Sequence, residues 1–301
     1  MRIAHLQLAS AMALVGANVA VAKAASPYLP VFVFALIRFA VAAVVLLPLA
    51  WREKGRTLAE ASLTEWRDVF LQTLFGTLLY MFFLLYGVKY TSALSAGIIT
   101  STVPVVVAGL AVVMLGERFG PGRVAALALA VLGVGAINTA SAQPGVAPDP
   151  LLGNVLIAGA VISEGLFVIY AKRSAANLPI YRMALAINLI GLVMVAPFSM
   201  AVLMRFDVVS VPLWVWLLPA FYSLTSSVIA LILWYRGLAV VPASEAAIFT
   251  STFPLTAVAV SLAFLGEEPQ WAHGFGLICV LTAIYLGARG GAKASAATLS
   301  R

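Results

Sequence analysis

Ten stretches of this 301-residue chain are apolar over about twenty residues each, and their number and length decide what it can become. A helix needs roughly 20 consecutive apolar residues to cross the hydrocarbon core of a bilayer. The runs cover residues 4–24, 31–50, 69–89, 92–115, 122–140, 152–171, 181–204, 212–235, 241–265 and 271–288. They do not alternate polar and apolar residues in short segments, as the strands of a membrane barrel do. Hydrophobic residues make up 63% of the chain and charged residues 10%, against about 25% charged in soluble domains. So much apolar surface cannot be hidden in one aqueous core and needs lipid. We read an all-α integral membrane protein with ten transmembrane helices. The first run, which starts Met1-Arg2 and ends AKAAS, also resembles a signal peptide. Its length and its counterpart later in the chain favour a retained span.

The formal net charge of +7 is a topology signal. With the N-terminus in the cytoplasm, ten spans return the C-terminus there. Of 18 Lys and Arg, Lys23, Lys89 and Arg205 fall outside and Arg38 inside a span, which leaves 18 − 4 = 14 on the cytoplasmic side. That is the positive-inside bias, and nucleic acid is not implied as a partner. Cys279 is the single cysteine, so no internal disulfide forms. His5 and His273 are too few and too far apart for a metal site. No cofactor is expected. H-E-x-x-H, G-x-S-x-G and P-loop motifs are missing, which argues against an enzyme and against ATP hydrolysis by this chain.

The chain repeats itself. Residues 87–117 and 237–267 align without gaps, with Gly87/Gly237, Ala96/Ala246 and Ile98/Ile248 matched, and TSTVP (100–104) over TSTFP (250–254). At an offset of 149, Gly16/Gly165, Val19/Val168 and Lys23/Lys172 match the first span to the sixth. Each half holds five spans, an odd number, so the second copy enters the membrane from the opposite face. The halves run over 1–141 and 151–290, with a Pro-rich periplasmic linker at 142–150 and a cytoplasmic tail at 291–301. Inverted repeats of this kind place ligand sites near the bilayer midplane, between the halves.

Pro104 and Pro254 each remove a helix hydrogen bond, freeing the carbonyls of Thr100 and Thr250. In lipid such carbonyls must be re-satisfied. The hydroxyls of Thr100, Ser101, Thr102, Thr250, Ser251 and Thr252 are the means at hand, and two symmetry-related kinks in the fourth and ninth helices follow, with Pro104 and Pro254 as hinges. Glu164 lies roughly 18 Å into its helix at 1.5 Å per residue. Charged groups inside spans are functional candidates by default. Glu164 can carry a proton, bind a substrate ammonium or form a fixed pair with Arg38. Arg38 can attract a carboxylate or cap helix carbonyls. Thr77 and Tyr80 in the third span, Tyr222 and Ser226 in the eighth and Asn18 in the first complete the expected substrate pathway. Glu245, at the start of span nine, suits a helix N-terminus. Glu117 and Glu267 close helices four and nine as solvated ends or gates. Trp51, Trp66, Trp214, Trp216 and Trp271 sit at span ends as interface anchors.

These features resemble the EamA-type carriers of the drug/metabolite transporter superfamily. They are the two five-span halves, TSTVP and TSTFP, the closing LGERFG (115–120) and LGEEP (265–269), Arg38-Phe39, YTSALSAGI (90–98) and PASEAAI (242–248). The resemblance spans essentially the whole chain. It implies a ten-helix secondary carrier of the bacterial inner membrane that works by alternating access. It implies export of small metabolites, amino acids first, with YddG-like amino acid exporters the nearest comparison. Where the resemblance would put an aromatic-rich cavity face, the sixth span reads Ser163-Glu164-Gly165-Leu166-Phe167. The partners are then a small-molecule substrate, membrane lipid and protons as a candidate coupling ion. A channel or uniporter for small solutes, or an exporter of another metabolite or a drug, is the alternative.

Overall fold

A computed structural model describes residues 3–91, 93–118, 120–140, 148–264 and 270–299. Every long element is a helix: α1 (Ile3–Ala25), α2 (Val31–Arg52), α3 (Leu63–Tyr90), α4 in two pieces (Ala93–Thr100 and Val103–Leu115), α5 (Pro121–Ala140), α6 (Pro150–Asn177), α7 (Ile180–Leu203), α8 (Leu213–Val240), α9 in two pieces (Ala243–Phe249 and Thr252–Phe264) and α10 (Trp271–Leu299). All ten expected spans are present. Among the described residues, nine helices are long and apolar enough to cross a membrane, and Trp271–Leu286 is a shorter apolar helix.

Two helices outrun their apolar cores for local reasons. α3 begins at Leu63 because Ser62 and Glu65 form a capping box, which satisfies two of its orphan amides. α6 begins at Pro150, where Asp149 accepts from the amide of Leu152. It continues to Asn177 so that Lys172 and Arg173 can reach the ends of neighbouring helices. The Lys172 ammonium donates to the carbonyls of Leu238, Ala239 and Val241 at 2.7, 3.3 and 2.8 Å. Arg173 donates to that of Met114 at 2.9 Å. Residues 142–147 of the expected linker, and Glu267, lie outside the described residues.

Packing follows the repeat. α1 lies against α8 and α9, and α6 lies against α3 and α4; α2 packs on α7 and α5 on α10. Exchanging equivalent helices between halves turns each pairing into another of the set, or into itself. Matched glycines set the distances. A Cβ on Gly16 would stand 2.0 Å from Thr256 Oγ1 and 2.3 Å from the Phe253 carbonyl oxygen of α9, and one on Gly165 would stand 2.7 Å from Leu110 and 3.2 Å from Val106 of α4. Gly237 faces Leu8 of α1, and Gly87 faces Ile157 of α6. In the same way Gly133 of α5 and Gly276 of α10 approach each other's backbone carbonyls, at 2.9 and 2.7 Å from an added Cβ. Lipid offers helices no hydrophobic drive to associate, so close backbone approach through small residues supplies the packing.

A second feature is mirrored too. Leu74–Leu79 in α3 and Ser223–Ala230 in α8 are π-helical, each a widened turn that shifts the residues after it around the helix axis. The sequence carries no warning of them. Of the expected tryptophan anchors, Trp51 and Trp271 are fully in the open, whereas Trp216 packs with Leu29, Val33 and Val215.

The glycine contacts yield a graded test. Gly16→Ala meets a backbone carbonyl, which cannot step aside, while Gly165→Ala meets the movable end of Leu110. Gly16→Ala is expected to destabilise by about 1–3 kcal/mol, the range for overpacking, and Gly165→Ala by less, as read from thermal unfolding in detergent.

Candidate functional site

Both expected helix breaks are present. In α4 the first piece ends at Thr100 and the second starts at Val103; in α9 the pieces end at Phe249 and restart at Thr252. The hydroxyls act one turn earlier than expected. Thr100 donates to the Ala96 carbonyl at 2.9 Å, Ser101 to Ile98 at 2.6 Å and Thr102 to Ile99 at 2.6 Å. Thr250 donates to Ala247 at 2.7 Å, and Ser251 to Ile248. The Thr250 carbonyl, freed by Pro254, is taken by the Phe253 amide at 3.1 Å. The side chains therefore cap the piece of helix behind them, and the backbone tightens to close the gap.

Beside the breaks lies a cavity of about 640 Å³, within the size range of small-molecule sites. It gathers most of the expected pathway: Asn18, Tyr80, Thr100, Glu164, Tyr222, Ser226, Thr250 and Ser251, with Pro104 and Pro254. These come from α1, α3, α4, α6, α8 and α9, so both halves contribute. Asn18 is held by the carbonyl of Leu14 at 2.8 Å, Thr225 at 2.8 Å and Ser226 at 3.2 Å. Asn138 reaches Thr100 at 3.4 Å. The carboxyl of Glu164 makes no hydrogen bond or ion pair among the described residues.

Three expected residues do not line the cavity. Arg38 does not pair with Glu164. Its guanidinium lies over the rings of Phe39 and Tyr222, at 4.3 and 5.6 Å. Ser101 is buried at 3% exposure and faces Gly135 of α5, although its repeat mate Ser251 borders the cavity. Thr77 sits within the π-helical turn of α3, which brings Gly76 and Tyr80 to the cavity in its place. Sequence reading missed Asn138, Phe167, Phe253 and Trp234. The pattern of α8 held a signal for Trp234, which falls two turns beyond Ser226 on the same stripe.

The lining residues lie along the middle stretches of their helices, from Val15 and Asn18 of α1 to Phe167 of α6 and Trp234 of α8. The face where α1 begins, here called the basic face, carries a polar cluster. Glu245 of α9 binds His5 of α1 at 2.5 Å and Arg123 of α5 at 3.0 Å. Arg123 also donates to Ser244 Oγ at 3.1 Å, and that hydroxyl donates to Glu117. Glu117 in turn accepts from the first amides of α9, Ala243 at 2.6 Å and Ser244 at 3.0 Å. His5 stacks on Phe249 with centroids 5.4 Å apart. Glu245 stands in the first turn of α9 as expected and carries ion pairs in addition; Glu117, expected as a solvated end or gate, is not a free end but a cap on α9. Glu117, the last residue of LGE, caps α9 across the half boundary and releases Glu245 for the ion pairs.

Comparison with known proteins fixes the class. The EamA-like transporter family model matches the chain twice, at residues 2–139 and 151–288. The chain belongs to the EamA-like transporter family and is a membrane transporter. A protein of Bacillus subtilis (strain 168) described as the uncharacterized transporter YetK is 38% identical over 290 residues, covering 94% of this chain and 86% of the relative. An uncharacterized transporter of Archaeoglobus fulgidus is 28% identical over 292 residues, 94% and 96% of the two chains. One solved crystal structure has a TM-score of 0.77 at 18% identity, covering 95% of this chain and 98% of the other, which shows the shared fold.

Glu245 is 2% exposed and Arg123 9%, so their pairing is sensitive to loss of one partner. Glu245→Ala is expected to cost about 3–5 kcal/mol, as when a buried charge is left uncompensated. Arg123→Met combined with Glu245→Leu is expected to recover most of that. Thermal unfolding of the three variants checks both.

Proposed function

We propose that the chain is a secondary carrier that exports small metabolites, amino acids first, across the bacterial inner membrane by alternating access. The excess of Lys and Arg on the basic face supports cytoplasmic N- and C-termini. The observation that carries the reading is the cavity between the two halves. Its lining includes both helix breaks, and the Glu117–Ser244–Arg123–Glu245–His5 cluster ties four helices together toward the basic face. A site between inverted halves, with groups toward one face that can part, is the arrangement alternating access requires. One group of helices moves against the other around the cavity, with Pro104 and Pro254 as the flexing points. Glu164 is a candidate carrier of a coupled proton, since it is the one carboxyl in the lining.

The test is flux of labelled amino acids into proteoliposomes with and without a pH gradient. Saturable flux with counterflow is expected. Glu164→Gln is expected to lose the gradient-driven part and keep exchange. Flux that never saturates identifies a channel, and no amino-acid flux from folded protein ends the amino-acid assignment.

A further inference from the structure

Several polar groups at the helix breaks and on α1 have their hydrogens already committed. A hydroxyl has one hydrogen to give. That of Thr100 goes to Ala96, that of Thr250 to Ala247 and that of Ser251 to Ile248. The amide hydrogens of Asn18 go to Leu14, Thr225 and Ser226. What these residues turn toward the cavity is therefore mainly lone pairs. Glu164 adds a carboxylate, and among the described residues no Lys, Arg or His lines the cavity. The cations that come nearest in the fold are engaged elsewhere. Arg38 lies on its two rings, Arg123 on Glu245 and Lys172 on three carbonyls.

One carboxylate, the turned-back hydroxyls of the breaks and the aromatic rings of Tyr80, Phe167, Tyr222 and Trp234 favour a donor that is positively charged. Rings of this kind attract ammonium groups through their faces, and a buried charge is costly until it is paired. Among the described residues a substrate carboxylate finds no cation in the lining, only the neutral donors of Tyr80, Tyr222, Ser226 and Trp234. We propose that the cavity recognises its cargo by an ammonium group seated at Glu164, so that an arylalkyl amine binds more tightly than the amino acid with the same side chain. This rests on the carrier reading for its role in transport but not for the binding itself.

The test is equilibrium binding to the purified full chain in detergent of four probes with one aromatic body: phenethylamine, phenylalanine, phenylpropionate and 2-phenylethanol. Phenethylamine is expected to bind at least tenfold tighter than phenylalanine, and phenylpropionate weakest of all. Glu164→Gln is expected to lose tenfold or more for the amine while 2-phenylethanol binding stays unchanged, which also reports an intact cavity. If Glu164→Gln does not fold, Glu164→Asp keeps the charge and is expected to retain the amine preference. Phenylalanine binding as tightly as the amine, an amine affinity indifferent to Glu164→Gln, loss of the amine preference in Glu164→Asp, or no binding of any probe overturns the proposal. Counterflow of phenethylamine in proteoliposomes separates the two readings. Binding without saturable flux ends the carrier and leaves the recognition standing. Flux of phenylalanine without amine preference does the reverse.

Discussion

A carbonyl oxygen in hydrocarbon has nowhere to turn but to the protein, and the interior of this fold is organised by that requirement. Two helices are broken where they can open a cavity, and breaking a helix exposes the carbonyls of its last turn. The hydroxyls of Thr100, Ser101, Thr102, Thr250 and Ser251 close those groups from within. Threonine and serine are suited to the place because each brings its own donor on a short arm, and proline two to four residues later prevents the helix from healing. The same bonds decide the chemical character of the cavity, since a hydroxyl that has given its hydrogen backward can only accept from the front.

At the basic face the logic is reversed. There the exposed groups are amides at the start of α9, and the partner is a carboxylate from the other half, Glu117. Because Glu117 answers the helix end, Glu245 is free to draw α1 and α5 together through His5 and Arg123. Four helices from both halves are thus joined by one chain of polar contacts, all of it away from lipid. Such a cluster is held only while its members stay packed.

The helices were legible because span length and the absence of alternation leave one answer, and the repeat was legible because eleven matched residues in 31 survive in register. The breaks were legible from Pro beside Thr and Ser. What could not be read was direction. A sequence places Arg38 and Glu164 in spans, but only the fold shows that Arg38 lies on the rings of Phe39 and Tyr222. The π-helical turns of α3 and α8 rotate Thr77 out and Gly76 in, and no composition rule marks them. His5 looked idle because its partner lies 240 residues away.

The way the helices pair has a consequence for what counts as a folding unit. The broadest contacts, α1 with α8 and α9, α6 with α3 and α4, α2 with α7 and α5 with α10, all run between the halves and not within them. Neither half is a body that could stand in lipid alone, since each would bare the small-residue faces meant for the other. The chain is one molecule by covalent bonding and a dimer by construction. The segment joining Ala140 to Pro150 keeps the copies in equal number and near each other, an entropic service that grows only slowly with loop length, while the recognition that assembles the fold is written in the faces of the two copies themselves.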